Sequence, residues 1–162
     1  PYYNRLYIEP RITPDLSGTV LKYRLRGRLY TINLSSPENY SIRVNGFTVS
    51  GTKPFGINPD GPEQVSFFSG NRNDKAISFA KSTGALLKVD MAEFTKTRTA
   101  WTALSSKNTT VAHTVSQLLP NTEYRLTING AFAGALASDG LGNLNFEAAL
   151  GASAPYRFEL AR

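Results

Sequence analysis

A chain of 162 residues with 18 Lys+Arg against 12 Asp+Glu, net charge +6, can bury one substantial core and is biased toward acidic partners or surfaces. It has no Cys, one His, one Trp and one Met, so disulfides, thiol nucleophiles and thiolate metal sites drop out together. No run of about 18 apolar residues exists to form a membrane-spanning helix.

The chain opens on Pro1 without a basic-then-apolar leader, which reads as a processed chain or a piece of a larger one. Residues 1–18 hold Tyr2, Tyr3 and Tyr7 close to Pro10 and Pro14. Two prolines disfavour a central strand or a helix, so an edge strand or extended arm is expected here, ahead of a single domain over 19–162. From Thr19, Leu21, Tyr23 and Leu25 alternate with Lys22, Arg24 and Arg26, the period of a strand with one buried face. Beyond Gly27 the apolar parity moves to Tyr30, Ile32 and Leu34, as a β-bulge at the glycine would produce. Tyr40, Ile42 and Val44 then alternate up to Asn45-Gly46, a dipeptide suited to the positive φ angles of a type I′ hairpin.

Interval 51–64 carries Pro54, Pro59 and Pro62 with Gly51, Gly56 and Gly61, and reads as a long loop. Short strands are expected at Val65 to Phe68, Ala76 to Phe79 and Ala85 to Val89. Met91, Phe94, Trp101 and Leu104 fall near helical spacing, but the threonines and missing caps favour a strand and loop. Val111, His113 and Val115 alternate into Leu118-Leu119-Pro120, after which Tyr124, Leu126 and Ile128 alternate to Asn129-Gly130. The chain should fold back over Ala131 to Ala137, turn at Asp139 to Gly142, and end in two strands through Phe146 and Phe158. Ile32 to Gly46 echoes Val115 to Gly130: apolar run, Pro-containing turn, Tyr, alternating strand and Asn-Gly. The echo fits two related halves or two uses of one common strand-turn-strand solution.

About ten short strands with turn residues between them give an all-β expectation: an antiparallel β-sandwich, immunoglobulin-like or jelly-roll. Leu118, Pro120 and Tyr124 resemble the tyrosine corner of immunoglobulin-like and fibronectin type III-like sandwiches, which implies a Tyr124 hydroxyl bonded back to the preceding backbone. Residues 122–162 are also similar to the terminal accessory modules of secreted bacterial polysaccharide-processing enzymes. That resemblance implies an extracellular, non-catalytic binding module.

The candidate ligand-binding residues are Lys22, Arg24, Arg26 and Arg28, because alternate residues of a strand lie about 7 Å apart on one face and can meet anionic groups along a polymer. An acidic polysaccharide or other polyanionic surface is the expected partner. Nucleic acid is disfavoured, since no outward aromatic interleaves with these cations. The bland alternative is a solvated strand whose charges discourage edge pairing. His113 shares the parity of two valines and reads as a core histidine with one satisfied hydrogen bond. Trp101 reads as a core or interface anchor in preference to a sugar-stacking platform. Asp139 with Asn143, and Asn71, Asn73 and Asp74, have calcium-compatible oxygens but the composition of turns. No cofactor, metal or catalytic residue is implied. The competing reading is a structural subunit of a surface filament, sheath or virion appendage, whose amino-terminal arm pairs with an identical subunit or a neighbouring domain.

Overall fold

The structure, a computed structural model, describes residues 6–8, 20–25, 27–33, 39–52, 55–69 and 75–162. Among these residues there is no helix, hence none long and apolar enough to cross a membrane. Strands, numbered along the chain, form two sheets. The smaller sheet runs β1 (Leu6–Ile8), β6 (Phe55–Gly61), β7 (Gln64–Ser69), β8 (Lys75–Lys81), β11 (Thr109–Val115) and β14 (Leu144–Leu150). The larger, of nine strands, runs β13 (Ala131–Ala137), β12 (Glu123–Ile128), β15 (Tyr156–Ala161), β10 (Arg98–Ser105), β9 (Leu87–Phe94), β5 (Phe47–Thr52), β4 (Asn39–Val44), β3 (Arg28–Asn33) and β2 (Val20–Leu25).

The alternation seen in the sequence explains how the sheets meet. Ile32, Ile42, Val49, Val89 and Phe158 of the larger sheet are buried, as are Ile57, Val65, Phe79 and Val111 of the smaller one. Rings from both sheets interdigitate: Trp101 on β10 lies edge-on to Phe79 on β8, with centroids 6.3 Å apart, and stacks on Phe158 of β15 at 5.3 Å. Stacking of apolar faces is what gives a two-sheet protein its core.

Three local expectations change. The parity switch at Gly27 comes from a hairpin turn and not from a bulge: Leu25 pairs with Arg28, leaving a two-residue connection in which Gly27 takes φ +76°. Interval 51–64 is not mainly loop, because Phe55–Gly61 is β6; its ladder with β7 slips between Asn58 and Gly61, which accommodates Pro59 and its missing N–H. The strands also outnumber the ten expected, as the Pro-rich interval and the β9–β10 hairpin each add to the sheets. Within the amino-terminal region, Leu6–Ile8 pairs with β6 at the edge of the smaller sheet. The rest of the proposed arm, residues 1–5 and 9–18, lies outside the described residues.

The corner at Leu118 is tightly fastened. Tyr124, fully buried, donates its hydroxyl proton to the Lys96 carbonyl and accepts a hydrogen bond from Leu119 N at 3.0 Å. Beside it, buried Ser138 donates to the Leu119 carbonyl, and its hydroxyl accepts from Thr122 N at 3.0 Å. Asp139 accepts the N–H groups of Leu141 and Asn143 through one carboxylate oxygen, at 2.8 Å each, and these bonds hold its carboxyl below the usual carboxylate range. That carboxylate is therefore committed to shaping a turn. The second calcium-compatible group, Asn71, Asn73 and Asp74, lies outside the described residues. The echoed half behaves similarly in its backbone: both Asn-Gly pairs have positive φ at both residues, and Tyr40 is buried like Tyr124.

Candidate functional site: the outer face of the larger sheet

Lys22 and Arg24 are exposed on β2, the edge strand, on the side away from the core. Arg28 is not with them. The hairpin places it opposite Leu25, and its guanidinium donates to the Pro59 carbonyl of the smaller sheet at 3.1 Å. It fastens one sheet to the other. Arg26 lies outside the described residues.

The register brings in two cations that the sequence reading missed. Lys22 pairs with Thr31, Thr31 with Arg43, Arg43 with Thr48, and Thr48 with Lys88. Since Ile32, Ile42, Val49 and Val89 point to the core, these five residues form one transverse row on the outer face. Its cations sit on every second strand, so with strands about 4.8 Å apart they are spaced about 10 Å along a straight line. A parallel row two residues along carries Asn33, Ser41, Ser50, Asp90 and Thr102, paired in that order. Thus a line of positive charge runs beside a line of hydroxyl and amide groups interrupted by the Asp90 carboxylate.

Two shallow depressions flank Lys88. One, of about 410 Å³, is lined by Arg43, Thr48, Leu86, Lys88, Leu104 and Ser106 among others. The other, of about 640 Å³, is lined by Asn33, Ser41, Thr48, Ser50, Lys88 and Asp90 among others. Among the described residues no carboxylate pairs with Lys22, Arg24 or Arg43, while Asp90 stands 3.9 Å from the Lys88 ammonium. The cations are consequently available to an external anion. Two other cations are used internally: buried Lys81 is paired with Glu63, and Arg98 bridges Glu93 and Glu159.

The lone histidine is remote from this face. His113 is 1% exposed and packed among Phe79, Trp101, Phe146 and Phe158, with the Phe146 ring stacked 4.5 Å away. Neither ring nitrogen has a partner in hydrogen-bonding geometry, and the Trp101 indole N–H is also unpartnered. By that geometry the single satisfied hydrogen bond expected of His113 is not made, although the backbone of Val111 and Phe146 lies close enough to act on the ring. Burial pushes its pKa down to about 4, against a weaker upward pull from the backbone of Val111 and Phe146. A neutral ring sealed in apolar surroundings cannot reach a substrate. Among the described residues, no group of three His, Cys, Asp or Glu is placed to hold a metal ion. No protein-family model matches the chain, and neither the curated proteins nor the solved structures give a match.

Proposed function

We propose that this protein is a non-catalytic, extracellular binding or accessory module of immunoglobulin-like sandwich type whose larger sheet receives an acidic polysaccharide across its outer face. The row Lys22, Arg43 and Lys88 is the observation that carries this reading. Cations about 10 Å apart in a line suit a chain in which acidic sugars recur every second residue. The adjacent row of Asn33, Ser41, Ser50 and Thr102 offers donors and acceptors to sugar hydroxyls. Exposed charges of this kind draw in a polyanion and lose strength with salt. The Tyr124 bond to Leu119, five residues upstream, supports the immunoglobulin-like reading of the corner.

The test is affinity for heparin and for alginate at low and moderate ionic strength, in the wild type and in the Lys22→Ala, Arg43→Ala, Lys88→Ala variant. The expected result is salt-sensitive binding that falls at least tenfold in the variant. Absent binding, or binding equal in the two proteins, would rule out this surface as the glycan site. Binding to a neutral glucan with similar affinity would show that charge is not what the face recognises.

A further inference from the structure

The opposite end of the larger sheet has a different character. β13 is its terminal strand, and its sequence, Ala131-Phe132-Ala133-Gly134-Ala135-Leu136-Ala137, holds no charge and no proline. The edge strand β2 carries Lys22 and Arg24, and the edge strand β14 carries Glu147. An open strand edge is a template for another strand unless charge, proline or distortion blocks it. On β13 the one such device is the slip in its ladder with β12 between Leu126 and Thr127, which leaves Ala133 as the extra residue and Gly134 to Ala137 in regular register.

The register fixes which backbone groups are free. Ser138 N donates to the Thr122 carbonyl, so this pair is hydrogen-bonded, and the antiparallel pattern alternates from there. Leu136 and Gly134 turn their amides toward β12, whereas Ala137 and Ala135 turn theirs outward. Side chains follow the same order: Leu136 and Gly134 share the core-facing parity of their partners Tyr124 and Leu126, while Ala135 is exposed on the outer face. Among the described residues no strand of the smaller sheet lies over this end, because β14 is the last of that sheet and its Phe146 packs on Trp101 and Phe158 of β10 and β15.

We infer that β13 is a self-association edge, and that its occupant is β13 of a second copy of this chain, antiparallel, about a two-fold axis at Ala135. Two copies related in this way exchange amide and carbonyl bonds between their Ala135 residues. Gly134 of each copy then stands opposite Leu136 of the other on the same face, and the missing glycine side chain leaves room for the leucine. Adding a Cβ at Gly134 would meet nothing within the present molecule, so that space is open in the single chain. The charges of the opposite edge favour the same arrangement, while on the β13 side the nearest cation, Arg125, sits one strand back from the seam, opposite Ala135 and over the Phe132 ring. With net charge +6, a second copy is repelled wherever basic faces meet. Pairing through β2 would bring Lys22 and Arg24 against themselves, whereas pairing through β13 puts them eight strands away on each side, roughly 38 Å by strand spacing. The contact is isologous, so it closes at two subunits and does not propagate. One short ladder buries little area, and the dimer belongs to the weak class that forms at high concentration.

Sedimentation velocity from micromolar to millimolar protein tests this, with Ala135→Lys and Ala135→Glu variants, whose new side chains project from an exposed position of the outer face. The wild type should shift from monomer to dimer mass. Ala135→Lys alone should remain monomeric, since like charges face each other at the axis beside Arg125; Ala135→Glu, whose cross-strand partner is Arg125, should be weakened less, and an equimolar mixture should recover the dimer. A wild type that stays monomeric to millimolar concentration overturns the proposal. So does a dimer that Ala135→Lys leaves intact, or a mixture that fails to associate while wild type does.

Discussion

The two ends of the larger sheet solve opposite problems with the same backbone. At the β12–β15 end, several polar groups are consumed internally: the Tyr124 hydroxyl, the Ser138 hydroxyl and the Asp139 carboxylate each bond to backbone, and Arg98 holds two glutamates. At the β2–β5 end, Lys22, Arg24 and Arg43 face outward with no anion among the described residues paired to them. Buried, satisfied polar groups hold a structure in one arrangement, and exposed unsatisfied charges add little to stability but present a field to other molecules. Substitutions at the first end should therefore cost stability and leave glycan binding unchanged, and those at the second should do the reverse.

The largest effect expected at the fastened end is that of Gly142→Ala. Gly142 has φ +79°, and a Cβ there would overlap the Leu118 carbonyl, whose residue also donates its N–H to the Gly142 carbonyl at 3.0 Å. Backbone must move to admit the methyl group. A loss of about 3–5 kcal/mol is expected from strain of this kind, read as a fall in the urea midpoint. A loss below about 1 kcal/mol would mean that the corner is loosely held and the contrast between the ends is false.

Next comes His113, in the core between the sheets. Its folded pKa, about 4, lies below the ordinary histidine value of 6.5, so the unfolded chain takes up the proton first as pH falls. The stability it contributes is complete above about pH 6.5 and declines as pH falls toward 4, by about 3 kcal/mol over the window. Glu63, Glu159 and Asp139 also have lowered pKa values, but their effect begins near the ordinary carboxylate range, leaving pH 6.5 to 5 to the histidine. Denaturation of His113→Phe across this window should show a flatter profile than wild type. Equal slopes would remove His113 as the source of the pH dependence.

How much of this was legible in the sequence depends on whether a feature is local. The Asn45-Gly46 and Asn129-Gly130 turns, the core position of Trp101 and the Tyr124 bond follow from short-range patterns, and all are present. The site was less accessible. Lys22 and Arg24 stand out because they are adjacent in a strand, but Arg43 and Lys88 join them only through strand pairing, including the parallel pairing of β5 with β9. Sequence spacing says nothing about that register. Arg28 was grouped with the cations because a bulge and a hairpin give the same parity switch; only the pairing of Leu25 with Arg28 separates them. The Pro-rich interval misled for a related reason, since prolines mark loops until a ladder with an irregularity accommodates one.

Tyr124→Phe sharpens the comparison at smaller scale. It removes a donor to Lys96 and an acceptor for Leu119, so a loss of about 1–2 kcal/mol is expected by thermal or chemical denaturation, with heparin affinity unaltered. A neutral result would make the hydroxyl dispensable to the corner. Arg28→Ala probes the boundary between the two classes, because the residue lies near the basic edge yet bonds to the smaller sheet. Its truncation should cost about 1 kcal/mol of stability and change binding less than Lys88→Ala does. If it abolished binding with no effect on stability, Arg28 would belong with the outward cations.

The smallest expected effect on stability is that of the triple variant Lys22→Ala, Arg43→Ala, Lys88→Ala. Among the described residues only Lys88 has a carboxylate nearby, at 3.9 Å and with both side chains half exposed, so the lost pairing is worth little. Against it stands relief of repulsion in a chain of net charge +6, which falls to +3 when three cations are removed. The two nearly cancel, and the change should stay within about 0.5 kcal/mol, tending toward stabilisation at low salt and vanishing as salt screens the repulsion. Unfolding curves at two ionic strengths measure both the size and the salt dependence. A loss of more than about 1 kcal/mol would mean these cations hold the sheet together, and their arrangement in a row would then reflect packing instead of recognition.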